Sequence, residues 1–468
     1  MKCGFARADI TPQPGITLSG FVARCNAPSV RVRDRLGVSA LYIEDGPENL
    51  LVLSHDVLGV GPELLAMLNA AISRQWHSRI PEERRLFCAT HNHSAPATVT
   101  LVGCGIIEPA YWQVVVERTV AAVGEAIAGC VEAVFRHDRI TAPGLNYNRR
   151  KVLDNGRVVM TLLPDRPVVR QGPAWDDFLF IRAETPGGKP IAGIVNWAAH
   201  ACTVCSRDIT ADFPGELMRR LERRDGFPHM YLQGACGNVN LHMHDMTYEE
   251  MLKDVDAIER ALPVPQWKPA GTGLRIQRDT VMLAYGPGHS RAELEATRDG
   301  MRRIADTGGG PAEHIAELAN ILNVPPDGTA DPALLRFLAG TLRDWSERLL
   351  AGPADAVANG YPLAVAVVSL GDLALVFAAA EVFTETARRI LSLAPSRAAG
   401  IVGYFSPLAG YLPTDEALKD GGYEVEYAYR FYGHPAAYAP GSESRMIRAF
   451  EAMLGSTKRE QSFSHHRF

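Results

Sequence analysis

Four times along this chain a run of apolar residues stops abruptly on a side chain that can bind metal or carry charge. Leu50 to Leu53 ends on Ser54-His55-Asp56, and Leu86 to Thr90 runs straight into His91-Asn92-His93-Ser94. The apolar stretch 190–197 is followed by Ala198-Ala199-His200, and Leu375 to Ala380 is followed by Glu381. Short apolar runs bounded by turn residues read as buried strands. Loops at the ends of such strands hold their side chains over a rigid scaffold. Between these runs the spacing turns helical, at 62–77 and again at 111–129, where Val114, Val115, Thr119, Ala122 and Val123 share one face. Strand-helix alternation of this kind predicts an α/β fold. Hairpin signals at Asp45-Gly46-Pro47 and Gly371-Asp372 predict mixed sheets flanked by helices rather than a purely parallel one.

Further strands are expected at the N-terminus before Thr11-Pro12, and at 36–43, 131–140, 157–163, 178–183, 361–370 and 373–380. A helix should start near Pro214-Gly215 and continue through Leu221, and a last one should cover 442–454. Residues 288–352, rich in Ala, Leu, Arg and Glu and broken by Gly308-Gly309-Gly310 and Pro325-Pro326, read as a helical insertion or cap. No internal repeat is visible in the sequence.

With 468 residues, 47% hydrophobic and 22% charged, the chain can bury a large core unaided, so a metal site in it would serve chemistry rather than folding. The net charge of −5 argues against a nucleic-acid partner. No uninterrupted apolar stretch is long enough for a membrane span, and no secretory leader opens the chain. The expectation is a cytoplasmic protein with free thiols, no stable membrane association and a small-molecule substrate.

Zinc favours imidazole and carboxylate ligands, and its catalytic sites typically use three protein ligands. In an extended His91-Asn92-His93 both imidazoles face one cleft. They read equally as ligand and neighbour, as two ligands, or as a hydrogen-bonded pair in a loop. His200 reads as a ligand or as a satisfied core histidine. Glu381 reads as a ligand or as the first-turn acid of a following helix. His55 and Asp56, and His242 and His244 beyond the Gln233 loop, read as a further site or as loop polarity. Cys236 and the Cys202/Cys205 pair read first as small buried packing.

Taken together the motifs resemble those of the neutral ceramidase catalytic domain. They run from Gly4-Phe5-Ala6-Arg7-Ala8-Asp9-Ile10-Thr11-Pro12 through Thr90-His91-Asn92-His93-Ser94, Asn146-Tyr147-Asn148-Arg149 and Asn196-Trp197-Ala198-Ala199-His200. They continue through Gln233-Gly234-Ala235-Cys236-Gly237-Asn238 and Ala380-Glu381-Val382-Phe383 to Gly410-Tyr411 and Tyr423. The resemblance implies one large catalytic domain over 1–468 that binds Zn2+ through His91, His200, Glu381 and Tyr411. It implies His93 beside the metal, Arg149 near the substrate, and Tyr423 in reach of a developing oxyanion. A second divalent metal is read not from the resemblance but from the His55/Asp56 and His242/His244 clusters, either of which could hold it or contact the substrate.

Three departures shape the expected function. The serine that ceramidases carry in the glutamine loop falls on Gly234. The C-terminal immunoglobulin-like domain of those enzymes has no counterpart, and neither does their export signal. The sequence therefore predicts a zinc-dependent hydrolase that cleaves an amide or ester of a small, polar or anionic substrate with metal-activated water. In that scheme His93 shuttles the proton, Arg149 holds an anionic group, Gly234 and Gly237 offer backbone amides, and Asp56 contacts substrate. A zinc lyase or isomerase, a lipid amidase and a non-catalytic binding protein are the alternatives.

Overall fold

In the computed structural model the apolar runs become buried strands of three sheets. The structure describes residues 1–242, 245–324, 330–352, 357–358, 360–394 and 398–464, with side chains to 455. Within the first sheet β1 (Lys2–Asp9), β2 (Gly37–Asp45) and β3 (Glu48–His55) form an antiparallel meander. A helix, α1 (Pro62–Trp76), then crosses over, and β4 (Arg85–Ala89) pairs parallel to β3. The first 3.6-periodic segment thus supplies the helical crossover that parallel strands require.

The same unit recurs twice. β5 (Val134–Thr141), β6 (Asp177–Glu184) and β7 (Pro190–Trp197) form a second meander, with β8 (His229–Gln233) returning parallel to β7. β9 (Leu274–Leu283), β10 (Tyr361–Leu370) and β11 (Leu373–Ala378) form the third, with β12 (Ala398–Val402) parallel to β11. The second crossover passes through Asp212–Asp225 and the third through Thr384–Ser392. The repeat absent from the sequence is therefore present in the topology. Strand pairing needs only alternation and hairpin geometry, which many unrelated residues satisfy.

The three parallel pairs meet at their C-terminal ends. The Ala89 amide donates to Tyr404 O at 3.2 Å, and Gly403 N to Gln233 O at 3.0 Å. The Asn196 carboxamide donates to Leu232 O at 2.9 Å and Ile401 O at 2.8 Å, which ties β7 and β8 to β12. Gln233 Nε2 donates to Thr90 O at 2.9 Å and Ala199 O at 2.8 Å, pinning the His91 and His200 loops together. Each of these buried amides would cost about 1–3 kcal/mol if left unpaired, so the junction is strongly specified.

Most expected elements appear with ends shifted by one or two residues. Val134–Thr141 is a strand, while 157–163 contributes only the pair Val158–Val159, in a small sheet with Lys151–Leu153 and Val168–Gln171. The second helix spans Pro109–Ala128, with Val114 exposed rather than on the packed face. The strands β8 and β9 and the helix Tyr248–Ala261 were not anticipated. Residues 288–352 hold three helices, Arg291–Thr307, Ala312–Ile321 and Pro332–Ala351, while the Pro325-Pro326 break lies outside the described residues. Among the described residues no helix is long and apolar enough to cross a membrane.

Candidate metal centre

The junction of the three sheets gathers His91, His93 and His200, which come from the loops after β4 and β7. All three side chains are buried, and His91 stands at φ 60°. A β-carbon disfavours that left-handed conformation, and such residues concentrate at functional sites. The pair His91/His93 therefore converges through a turn, not an extended segment. The Asn92 side chain holds the turn: its oxygen accepts from Ser94 N at 2.8 Å, and its amide donates to Thr210 O at 2.7 Å. The buried guanidinium of Arg24 clamps the far side, donating to His93 O at 2.5 Å and Val204 O at 3.1 Å.

The Nε2 atoms of His91 and His200 stand 2.9 Å apart, and that of His93 lies 3.2 Å from His91 and 3.1 Å from His200. Nδ1 of His91 lies 2.9 Å from Leu58 O, and Nδ1 of His200 lies 3.1 Å from Cys236 O. A carbonyl oxygen only accepts, so both Nδ1 atoms carry the proton and both Nε2 atoms are bare when the rings are neutral. Burial and the neighbouring cationic groups push His200 and His93 well below the usual imidazole range, which keeps them neutral. Two bare lone pairs at 2.9 Å repel unless a cation lies between them. Two imidazole nitrogens on one tetrahedral zinc stand about 3.3 Å apart, close to the spacing found here. Glu381 Oε2 lies 3.2 Å from His91 Nε2 and 4.0 Å from His200 Nε2, which adds an anionic donor. The donor set fits a divalent metal ion.

Glu381 is fully buried and enters from the end of β11. Two phenols that the sequence did not single out orient it. Tyr404 donates to Oε2 at 3.3 Å, and Tyr432 donates to Oε1. The Tyr404 ring also lies over His91, with centroids 4.1 Å apart, and its oxygen accepts from Cys236 Sγ at 2.9 Å. Tyr404, at φ 56°, is a second left-handed residue at the junction. Cys236 is buried with its thiol pushed well up in pKa, which leaves it a packing and hydrogen-bonding role.

Tyr411 reaches the site because Glu381–Val382 pairs parallel with Tyr411–Leu412. Its oxygen accepts from Arg149 Nη2 at 3.0 Å. Arg149 also donates to Glu424 Oε1 at 2.9 Å, Gly237 O at 2.9 Å and Asn240 Oδ1 at 3.4 Å. This guanidinium, buried and engaged on every side, holds Tyr411 in place and has little left for an anionic substrate group. Tyr423 packs edge-on against Tyr411, with centroids 6.0 Å apart.

The glutamine loop has a different use from the one expected. Gly234 N donates to Trp197 O at 2.7 Å and Gly237 N to Val382 O at 3.0 Å, so neither amide is free for an oxyanion. A β-carbon at Gly234 would lie 2.8 Å from Trp197 O, and one at Gly237 would lie 2.6 Å from Glu381 O. The Trp197 backbone leaves no room for a side chain at Gly234, the position that the sequence resemblance sets against serine.

Asp56 lies away from the triad. Its Oδ2 accepts from Gly37 N at 2.8 Å, and it lines a separate 420 Å³ cavity with Arg7 and Arg219. His55 is turned into the core between Cys88 O and Thr119 Oγ1, where burial pushes its pKa down to about 4. His242 stacks on Tyr147, and His244 lies outside the described residues. Among the described residues the three histidines are the only group of three or more His, Cys, Asp or Glu side chains close enough together to hold a metal ion, and the Cys202/Cys205 pair is not part of one.

Protein-family models and curated proteins give no match to the chain. Solved structures do. The neutral ceramidase from Pseudomonas aeruginosa superposes with a TM-score of 0.68 at 16% identity, over 98% of this chain and 74% of that one. A ceramidase complexed with C2 gives 0.68 at 15%, over 98% and 75%. The likeness extends over nearly the whole chain: the chain has the neutral ceramidase fold.

Proposed function

We propose that the chain is a zinc-dependent amide hydrolase acting on a small, polar substrate. His91, His93 and His200 with Glu381 would hold the ion, and Tyr411 would close the set. A divalent ion there supplies Lewis-acid polarisation of a carbonyl and makes water acidic enough to ionise near neutral pH. The observation that carries the reading is the 2.9 Å approach of two Nε2 atoms whose Nδ1 protons are already committed. Its support for amide chemistry is the likeness to ceramidases, in which the substrate bond is an amide.

The side chains divide the remaining work. Tyr404 and Tyr432 keep the Glu381 carboxylate aimed at the imidazoles. Arg149 holds the Tyr411 oxygen, and Glu424 cancels the charge of Arg149 so that the site does not carry an unpaired buried cation. Tyr423 stands where its hydroxyl can donate to an oxyanion formed beside Tyr411. His93, placed with the other two nitrogens, fits a ligand better than the separate proton shuttle expected from sequence. Metal analysis with amide turnover tests the assignment. His91→Ala and His200→Ala should lose zinc and activity together, and full activity in a metal-free variant would overturn it.

A further inference from the structure

Beside Tyr423 lies a 370 Å³ cleft. Asn155, Asn320 and Asn323 line it, together with Tyr423 and Tyr427, and the Asn155 and Asn323 oxygens accept from Arg157 N at 3.1 Å and Met160 N at 3.4 Å. Asn155 comes from the turn between Lys151–Leu153 and Val158–Val159. Asn320 and Asn323 come from the Ala312–Ile321 helix and its end, inside the helical segment read from the sequence as a cap. Three charged side chains stand at the rim, Arg157, Asp420 and Glu426, and Arg157 lies 3.8 Å from Asp165. Asp420 pairs with Arg170, and Glu426 accepts from Gly422 N at 2.8 Å. Asn320 is hydrogen-bonded to the Tyr427 hydroxyl, so carboxamide and ring present one surface.

The cleft is at the small end of ligand pockets, which run about 300–1,000 Å³. Planar carboxamides both donate and accept, which suits hydroxyl groups, and an aromatic face suits the C–H side of a sugar ring. An aliphatic chain would strip water from the carboxamides and return no hydrogen bond. One wall of the cleft, Tyr423, is also the residue that packs on Tyr411 at the metal centre.

We infer that this cleft seats the body of the substrate, and that the substrate is a compact, hydroxyl-rich amide of the acetamido-sugar type rather than a long-chain lipid amide. The inference rests on the amidase reading above. In that reaction the acyl carbon–nitrogen bond breaks, the water oxygen goes to the acyl carbon, and the amine leaves with the proton.

The test uses the zinc-loaded full chain and two probes, methyl 2-acetamido-2-deoxyglucopyranoside and N-octanoylethanolamine. Binding is read by ligand-observed NMR and cleavage by product analysis in oxygen-18 water. The sugar amide should bind and be cleaved with kcat/KM at least tenfold above the octanoyl amide. Asn320→Leu, at an exposed helical position, should shift that ratio at least tenfold toward the octanoyl amide. A preference for the octanoyl probe, or a ratio that Asn320→Leu leaves unmoved, overturns the inference while the amidase reading survives. Sugar binding that Asn320→Leu weakens tenfold, with neither amide cleaved, supports the cleft assignment and removes the amidase reading. No binding of the sugar amide overturns the inference.

Discussion

Removing the metal is the perturbation that the site geometry makes most quantitative. With nothing between them, the Nε2 atoms of His91 and His200 face each other at 2.9 Å as two acceptors. The unfolded chain scatters those nitrogens across more than a hundred residues of sequence, so a metal ion binds the folded state far better. At free zinc of 100 times its dissociation constant the folded state gains about 2.7 kcal/mol. Unfolding entropy near the melting point is about 2.1 cal/mol/K per residue, or about 1 kcal/mol/K for 468 residues. The melting temperature should therefore rise by about 3 °C at 100-fold saturation, and by about 1.4 °C more for each further tenfold of zinc. Differential scanning fluorimetry in metal buffers measures this directly. His91→Ala and His200→Ala should abolish the dependence on zinc concentration. A wild-type shift that is absent, or one that survives both substitutions, would refute the reasoning from the lone-pair geometry.

Three further outcomes are expected. Glu424→Ala removes the carboxylate shared by Arg149 and Arg150, both buried, and should cost about 3–5 kcal/mol in urea titration; a cost below about 1 kcal/mol would show that the two cations find other partners. Gly234→Ser should fail to restore a ceramidase-type serine and should destabilise by about 1–3 kcal/mol, because its β-carbon meets Trp197 O at 2.8 Å; a stable variant with raised amidase activity would contradict this. Burial pushes Asp56 up to about 6 from 3.8, so the folded chain keeps a proton that the unfolded chain releases, and stability falls as pH rises from about 4 through about 6. Asp56→Asn should remove that loss, with a gain at pH 8 of up to about 3 kcal/mol over wild type and none at pH 3.5; parallel pH profiles would refute it.

The sequence made the ligand-bearing loops legible because each apolar run ends on a residue that is expensive to bury. That cost marks His91, His200 and Glu381 without reference to their partners. It cannot mark Tyr404, Tyr432 or Cys236, since a phenol or thiol beside an apolar run is ordinary core composition. Asp56 stands at the same kind of strand end as His200, but its carboxylate turns to Gly37 N and to the cavity lined by Arg7 and Arg219, a direction that strand-end position alone does not encode. The engaged amides of Gly234 and Gly237 were hidden for a related reason. Glycine reports that the backbone approaches something closely, and the structure shows that the something is the Trp197 and Glu381 main chain rather than a ligand.

The threefold recurrence of the sheet unit explains why the ligands are so far apart in sequence. Each unit offers two loops to the junction, one after its third strand and one after its returning parallel strand. His200 and Glu381 occupy the first kind of loop in the second and third units, and His91 and Tyr404 occupy the second kind in the first and third. The glutamine loop of the second unit fills the remaining parallel position and acts through its backbone, accepting from His200 Nδ1 at Cys236 O. The first unit's third strand sends no side chain to the junction, since His55 is turned into the helix behind the sheet and bonded to Thr119 at 3.0 Å. A centre built this way depends on how three sheets seat against one another. The side chains that join the sheets, Asn196 and Gln233, are then as necessary to the convergence of the three imidazoles and Glu381 as those residues themselves, although neither lies among the converging donor atoms.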